Sequence, residues 1–410
     1  MDTEQESIIR AVREKWDGPF YLYDQKVIAE RATRLLTDFP QFEFLYSIKA
    51  NPFPPIAKYL ARRGFGADAA SAAEVDLALA AGMRPDMIFY SSPGKTETDL
   101  RQALGKSRVI VDSCNELALL NGLAAAKPTL LAVGLRLNPD FSLDGGPGVS
   151  AKFGVDEEVL FQRAEFLAGL TSLEITGLHV HLRSQVLEAE ALAGYYERVF
   201  RLAVKCVQKF GWRLKFINFG GGLGIVYSEA NDRPLDTVRL GRECAALARK
   251  YRPELGGIRL IIESGRYLVG QAGKYYTPIV DIKESRGRKY LIVRNGLNGF
   301  MRPAIADLLR RLPGSPADRR FSAEPLFTAP DAFDFSLAGK EDGAPLEKVS
   351  VVGNLCTAAD VLAEDIFLPA ARRATWCASP RPAVTPAAFR RRAFPATGPR
   401  ARFTSTTTKI

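Results

Sequence analysis

The sequence predicts an α/β protein: a (β/α)8 barrel, followed by a smaller, mostly β domain. Three observations carry this. Eight short apolar runs alternate with helical patterns over roughly 240 residues, the length and rhythm of such a barrel. Polar residues collect at one and the same end of these runs. After residue 266 the alternation stops, and strands follow strands. A doubly wound sheet is the competing fold, and the count of eight favours the barrel.

In chain order, residues 18–23 (GPFYLY) read as a short strand. The barrel strands read as 42–49, 65–71, 87–91, 108–112, 130–137, 174–181, 214–219 and 258–263. Helical patterns fill the intervals at 55–63, 72–81, 98–104, 116–125, 157–167, 188–210 and 235–250, and a Gly-rich loop lies at 144–148. Beyond the barrel, 275–283 and 290–293 read as strands joined by a polar turn, and 346–353 as another. Residues 312–344 are rich in Pro, Gly and Asp and read as loops. The expected organisation is a segment 1–24 pairing with the β domain, a barrel over 25–266, a β domain over 267–369 and a basic, disordered tail over 370–410.

Composition narrows the function classes. The formal charge of +10 belongs to the tail: residues 370–410 hold eight Arg, one Lys and no acid, leaving 47 basic against 46 acidic residues before them. A nearly neutral body gives no reason to expect nucleic acid or a membrane as partner. No apolar run reaches transmembrane length, and the acidic start lacks the apolar core of a secretory signal. Five scattered cysteines without CxxC spacing fit reduced thiols in a cytoplasm.

The strand ends carry the chemistry, because barrels of this type place their sites there. Lys49 ends the first strand, just before Asn51-Pro52. Its plain reading is a snorkelling side chain, and its sharper one an amine for an aldehyde cofactor. Asp68 lies on the second strand and Arg136 at the end of the fifth. The sixth ends His179-Val180-His181-Leu182-Arg183-Ser184, the seventh Gly220-Gly221-Gly222, and the eighth Glu263-Ser264-Gly265-Arg266. Glycines let backbone N–H groups approach an anion, and phosphate in such barrels is held near strands seven and eight. His179 and His181 are the only histidines; with no third ligand at suitable spacing, no metal is expected. Together the groups suit pyridoxal 5′-phosphate: an amine for the aldehyde, glycines and an arginine for the phosphate, a carboxylate for the ring nitrogen.

The segments YSIKAN, GADAASAAE, HVHLRS, FGGG, ESGR and GNLCTAAD stand in the order found in the fold-type III pyridoxal-phosphate decarboxylases, and the chain from about residue 18 to 369 resembles that family, which includes ornithine, arginine and diaminopimelate decarboxylases. The resemblance implies that Lys49 is the Schiff-base lysine and that His181 lies on the cofactor ring. It implies that Ser184, Gly220, Gly221, Gly222, Gly265 and Arg266 hold the phosphate, Glu263 meets the pyridine nitrogen and Asp68 supports the site. It also implies a head-to-tail homodimer with shared sites, in which Cys356 comes from the other subunit as the acid that protonates the carbanion. A racemase of the same fold is a weaker match.

The departures bear on substrate. Diaminopimelate enzymes usually carry Glu after the cysteine and HIGSQ at the sixth strand; here Thr357 follows Cys356, and Arg183 stands where the glycine would be. The stretch GNLCTAADVLAED, with PGKT at 93–96, is similar to siderophore-pathway members that act on a citryl-diaminopropionate conjugate. Arg302 and Arg183 would suit its carboxylates, and Thr357 and Asp360 would complete the substrate side. Diaminopimelate is the alternative substrate. The family's C-terminal Gly-Ala-Tyr element is missing, since no tyrosine follows Tyr290. The Arg/Pro/Ala/Thr tail has the character of a changed reading frame, and a cofactor-binding homologue without turnover is the reading from another class.

Overall fold

The structure is a computed structural model that describes residues 3–126, 128–311, 332–339, 344–380 and 400–404. The chain divides into two compact units, Ala29–Ile225 with Pro234–Leu268, and Met1–Ile28 with Val226–Arg233 and Val269–Ile410.

The strand β1 (Phe20–Asp24) lies in the second unit. The first is a barrel of β2 (Phe42–Ser47), β3 (Gly66–Ala69), β4 (Ile88–Tyr90), β5 (Arg108–Val111), β6 (Leu131–Asn138), β8 (Leu173–Val180), β9 (Phe216–Asn218) and β10 (Arg259–Ser264), with a two-residue β7 (Val155–Asp156) beside β6. The order β5-β4-β3-β2-β10-β9-β8-β6 closes through a β5–β6 pairing, and every pairing is parallel. Apolar runs such as FEFLYS are buried on both faces because the barrel interior takes one face and the helices the other. Closure leaves no barrel edge unpaired.

Leu45, Phe89, Ile110, Phe216 and Ile261 form one buried cluster of the barrel, with the Phe89 and Phe216 rings edge to face at 5.1 Å. Phe216 fits because two strand residues facing it are glycines. A Cβ on Gly177 would lie 2.1 Å from its ring, and one on Gly134 2.8 Å from it. Helices start on caps written in the sequence: Ser71 accepts from Glu74 N–H, Ser113 from Glu116 N–H, and Thr96 forms a reciprocal box with Asp99. Lys95 of the PGKT segment is fully buried. Its Nζ donates to Ser92 O and Ile110 O (2.7 Å each) and to Glu116 Oε1 (2.6 Å), tying the ends of β4 and β5.

The second unit holds β11 (Gly273–Ser285), β12 (Arg288–Val293), β13 (Ser336–Leu337), β14 (Leu346–Val352), β15 (Val361–Pro369), β16 (Trp376–Pro380) and β17 (Arg400–Thr404). They form a sheet in the order β13-β16-β11-β12-β14-β15, with β1 pairing antiparallel to β11 and parallel to β17.

Several sequence expectations change. Lys49 is not in the strand: β2 stops at Ser47, and Ile48–Ala50 forms a single 3-10 turn. The expected helix 157–167 breaks at Arg163 into Glu157–Gln162 and Ala164–Ala168. The helices Thr3–Lys15 and Gln25–Asp38 lie in stretches read without helices, Met301–Arg311 was not foreseen, and β15 extends a stretch read only as a motif. Of the loop stretch 312–344, residues 312–331 and 340–343 lie outside the described residues, and Ser336–Leu337 is a strand.

The expectation of disorder after residue 369 is corrected over β16. Trp376 and Ala378 pack in a cluster with Phe20, Leu22 and Tyr276, and Cys377 points into another with Ile279, Leu291 and Val351. Average composition over 41 residues hid a short strand in which Trp376 and Ala378 on one face and Cys377 and Ser379 on the other are all buried. Residues 381–399 and 405–410 lie outside the described residues.

The fit of Phe216 to its glycines is testable. Gly177→Ala should cost about 1–3 kcal/mol by overpacking, a melting temperature lower by roughly 3–10 °C. Adding Phe216→Leu should cost less than the sum of the two single losses. Additive losses in a thermal-shift assay would show that the two positions do not meet.

Candidate active site

Lys49 is carried by the 3-10 turn that ends β2. Asn51 N–H donates to Ile48 O at 2.9 Å, and Tyr46 OH donates to Asn51 O at 2.8 Å, so the turn is fixed on both sides. Ile48 and Ala50 are buried, while the Lys49 side chain is 55% exposed. Its Nζ donates to Asp68 Oδ2 at 3.1 Å. Asp68 sits on β3, opposite Ser47 of β2, and is wholly buried. Burial alone would raise its carboxyl. The Lys49 ammonium, the Ser91 hydroxyl (Oγ to Oδ1 2.5 Å), His179 and Ser47 outweigh that and hold it at about 2. In return, the Asp68 charge raises the Lys49 amine more than burial lowers it. At neutral pH this is a carboxylate–ammonium pair.

Glu263 lies on β10, opposite Leu45 of β2. Its Oε1 accepts from Asn218 Nδ2 at 2.8 Å and lies 3.3 Å from His179 Nε2. Burial, and then the charge of Asp68, push the Glu263 carboxyl up to about 8, so it carries a proton at pH 7. Burial pushes His179 well down and His181 to about 3, with the Arg136 charge next in weight for both. Both imidazoles are neutral. His181 Nδ1 accepts from Gly221 N–H at 3.0 Å, which leaves the ring proton on Nε2.

The glycine triplet wraps His181 because it has no side chains. Gly220 has φ +67°, and a Cβ there would sit 2.5 Å from Val180 O and 2.6 Å from His181 Cβ. Asn218 Oδ1 accepts from Gly220 N–H at 2.9 Å, so Asn218 ties this loop to Glu263. After β8, Gln185 takes the left-handed conformation at φ +63°. Its Oε1 accepts from Ile225 N–H (3.2 Å) and from Arg266 Nη1 (3.5 Å), and its Nε2 donates to Ile225 O. Val186 N–H donates to Gly222 O at 2.8 Å. Gly265 packs against the Lys49 turn, where a Cβ would meet Ala50 Cβ at 2.8 Å.

The structure thus brings Lys49, Asp68, His181, Ser184, Gly220, Gly221, Gly222, Glu263, Gly265 and Arg266 to one rim, the C-terminal ends of β2, β3, β8, β9 and β10. Arg183 is exposed just after β8, its Nη1 3.5 Å from Asp144 Oδ2. The other expected residues belong to the β unit. Cys356 and Thr357 are exposed on the turn after β14, where Thr357 N–H donates to Leu355 O at 2.8 Å. Arg302 is half-buried on the helix Met301–Arg311. Asp360 corrects its expectation. It is buried, and its two oxygens accept from Leu297 N–H (2.5 Å) and Leu355 N–H (2.9 Å), so it staples two loops instead of facing substrate.

Sequence reading missed Asn218, Gln185 and Glu74. Asn218 was visible as a polar intrusion in the apolar strand LKFINF, and Gln185 directly follows HVHLRS. Glu74, at the helix end facing Asp68, accepts from Ala70 N–H at 2.7 Å, and burial lifts it to about 7. Among the described residues no group of three or more His, Cys, Asp or Glu could hold a metal ion, and no helix is long and apolar enough to cross a membrane. The donor set fits a phosphorylated aromatic aldehyde: an accessible amine, a buried protonated carboxyl, a neutral imidazole, and a glycine cradle that any Cβ at Gly220 would fill.

The family model described as "Pyridoxal-dependent decarboxylase, pyridoxal binding domain" matches residues 25–270. Diaminopimelate decarboxylase of Aquifex aeolicus is 32% identical over 72% of this chain and 71% of its own length. L-glutamyl-[BtrI acyl-carrier protein] decarboxylase of Niallia circulans is 30% identical over 88% of this chain and 82% of its own. Among solved structures, AQ1208 from Aquifex aeolicus superposes with a TM-score of 0.73 at 27% identity, covering 91% of this chain and 82% of that one. Diaminopimelate decarboxylase from Helicobacter pylori complexed with L-lysine gives 0.74 at 24% identity, covering 91% and 88%, which is a likeness of fold.

The raised carboxyl of Glu263 gives a pH test in the cofactor-free protein. A folded-state pKa of about 8, above the ordinary glutamate value, contributes stability that is full at low pH and is lost as pH rises toward and through 8. Glu263→Gln does not titrate. Its melting temperature relative to the unsubstituted chain should therefore rise steadily from pH 5 to pH 9. A difference independent of pH would place the Glu263 carboxyl in an ordinary, ionised state.

Proposed function

This chain belongs to the pyridoxal-dependent decarboxylases, and from that premise we propose that it removes the α-carboxylate of an amino-acid-like substrate whose far end is carboxylate-rich, of the citryl-diaminopropionate type. Its cofactor is pyridoxal 5′-phosphate, which when bound withdraws electrons from the substrate α-carbon.

Each rim residue then has a task. Lys49 would hold the aldehyde carbon through its neutral amine, and Asp68 would keep that amine placed and stand beside it to take its proton. Arg266, Gly265, Ser184 and the Gly220–Gly222 backbone hold the phosphate, with Gln185 fixing Arg266. His181, neutral and pinned through Nδ1, offers a flat uncharged face to the ring. Glu263 would meet the ring nitrogen, and its buried carboxyl, which holds a proton at neutral pH, would supply that proton there. Cys356 would supply the proton that replaces the lost carboxylate, from a second copy of the chain in a homodimer.

The substrate reading rests on two observations: Thr357 follows Cys356 where an acid would meet a distal ammonium, and arginine stands at 183. Support comes from the Niallia circulans relative, whose name describes an L-glutamyl group on an acyl-carrier protein, a conjugate and not a free amino acid. Diaminopimelate is the second reading, favoured by the Aquifex aeolicus relative and others of the same name.

Decarboxylation rates decide between them. kcat/KM should be at least tenfold higher for citryl-diaminopropionate than for diaminopimelate, and Thr357→Glu should shift that ratio toward diaminopimelate by about ten- to a hundredfold, the scale of one charge-assisted hydrogen bond. A preference for diaminopimelate in the unsubstituted chain overturns the substrate assignment. Release of no CO2 from either compound by cofactor-loaded protein overturns the decarboxylase reading for this chain.

A further inference from the structure

One groove of the β unit has no part in the chemistry above. It has a volume of about 430 Å³ and lies where β16, β11 and β12 run side by side. Three guanidinium groups line it: Arg13 from the helix Thr3–Lys15, Arg294 one residue past β12, and Arg373 from the turn before β16. Asp17 is the one acid in the lining, so three positive charges face a single negative one. All four residues belong to the second compact unit.

The sheet brings these groups together. Pro278 of β11 is paired in register with Trp376 of β16, and both are buried where they line the groove. Arg294 N–H donates to Pro278 O at 3.0 Å, which ties the end of β12 to the same point. Arg373 sits in a turn fixed to β11 from both sides: Ala374 N–H donates to Ile279 O, and Ile279 N–H to Thr375 O, at 2.9 Å each. Each arginine has its own anchor. Arg13 lies over the Trp376 ring, 5.7 Å from its centre. Arg294 Nη1 donates to Asp17 Oδ2, and Arg373 Nε to Val280 O, both at 3.1 Å.

A guanidinium carries five N–H donors. Among the described residues Arg294 and Arg373 each spend one of them on the protein. The three arginines are exposed, so their other donors are open to a bound molecule. Three like charges around one groove repel one another, and Asp17, 85% exposed, offsets them weakly. An anion between them removes that repulsion and meets the donors in the geometry guanidinium offers to carboxylate and phosphate. Arg373 and Trp376 also stand beyond residue 369, where the resemblance to the decarboxylase motifs ends.

We propose that this groove binds a small organic polyanion, a polycarboxylate or a phosphate ester, whose anionic oxygens bridge Arg13, Arg294 and Arg373. The inference does not depend on the cofactor or the reaction proposed above.

The test is calorimetric titration of the full chain at low ionic strength with two probes, citrate and glycerol phosphate. One saturable site is expected, and the probe that binds more tightly gives the ligand class. Arg294→Met and Arg373→Met should each weaken that probe about tenfold, the scale of one charge-assisted hydrogen bond. Asp17→Asn removes the opposing charge and should tighten it about two- to fivefold, a gain that damaged folding cannot produce. Arg266→Met, at the barrel rim, should leave the affinity unchanged. Absence of saturable binding of either probe in the millimolar range overturns the inference. So does an affinity that Arg294→Met, Arg373→Met and Asp17→Asn all leave within a factor of 1.4 of the unsubstituted chain, the bottom of the range for one exposed charge pair, roughly. Binding that is lost in Arg266→Met and kept in Arg294→Met and Arg373→Met assigns the anion to the rim and overturns it as well.

Discussion

The ion pair between Lys49 and Asp68 sets the electrostatics of the whole rim. Asp68 is completely buried, where a lone carboxylate would be neutralised by its desolvation cost. It stays ionised because the Lys49 ammonium and the Ser91 hydroxyl both point at it. That retained negative charge, added to burial, is what keeps a proton on Glu263. Burial first, and then the charges of Arg136 and Lys49, hold His181 neutral. Burial sets the protonation of the neighbours, and this one ionised pair in an apolar barrel adds to it at Glu263.

Backbone geometry does the rest. Three glycines let the β9 loop close around His181, and the left-handed Gln185 turns the chain after β8 back onto that loop. Asn218 spans both parts, donating to Glu263 and accepting from Gly220. His181, the glycine loop and the carboxyl of Glu263 are therefore linked by hydrogen bonds that meet at Asn218 and the loop backbone. Such a set positions groups more rigidly than any member would alone.

The barrel was legible because its strands are buried on both faces and appear as unbroken apolar runs at regular intervals. The rim was legible because parallel strands must end on one side, so polar residues at those ends converge. What the sequence hid has physical causes. Whether Lys49 ends a strand or sits in a 3-10 turn changes no hydrophobic pattern. Asp360 looks like a site acid until two backbone amides are seen on its oxygens, contacts made with residues distant in sequence. Trp376–Pro380 was lost in the average of a basic tail, although its alternation is ordinary for a strand with two buried faces. Gln185 was lost because a positive φ leaves no mark on a non-glycine residue.

The central claim is that Lys49 is the amine that holds the cofactor. Borohydride reduction of the pyridoxal phosphate-loaded protein, followed by proteolysis and mass mapping, tests it without any knowledge of the substrate. The account predicts one modified peptide, with the phosphopyridoxyl mass on Lys49. The same mass on Lys95 or any other lysine, with Lys49 unmodified, would contradict it.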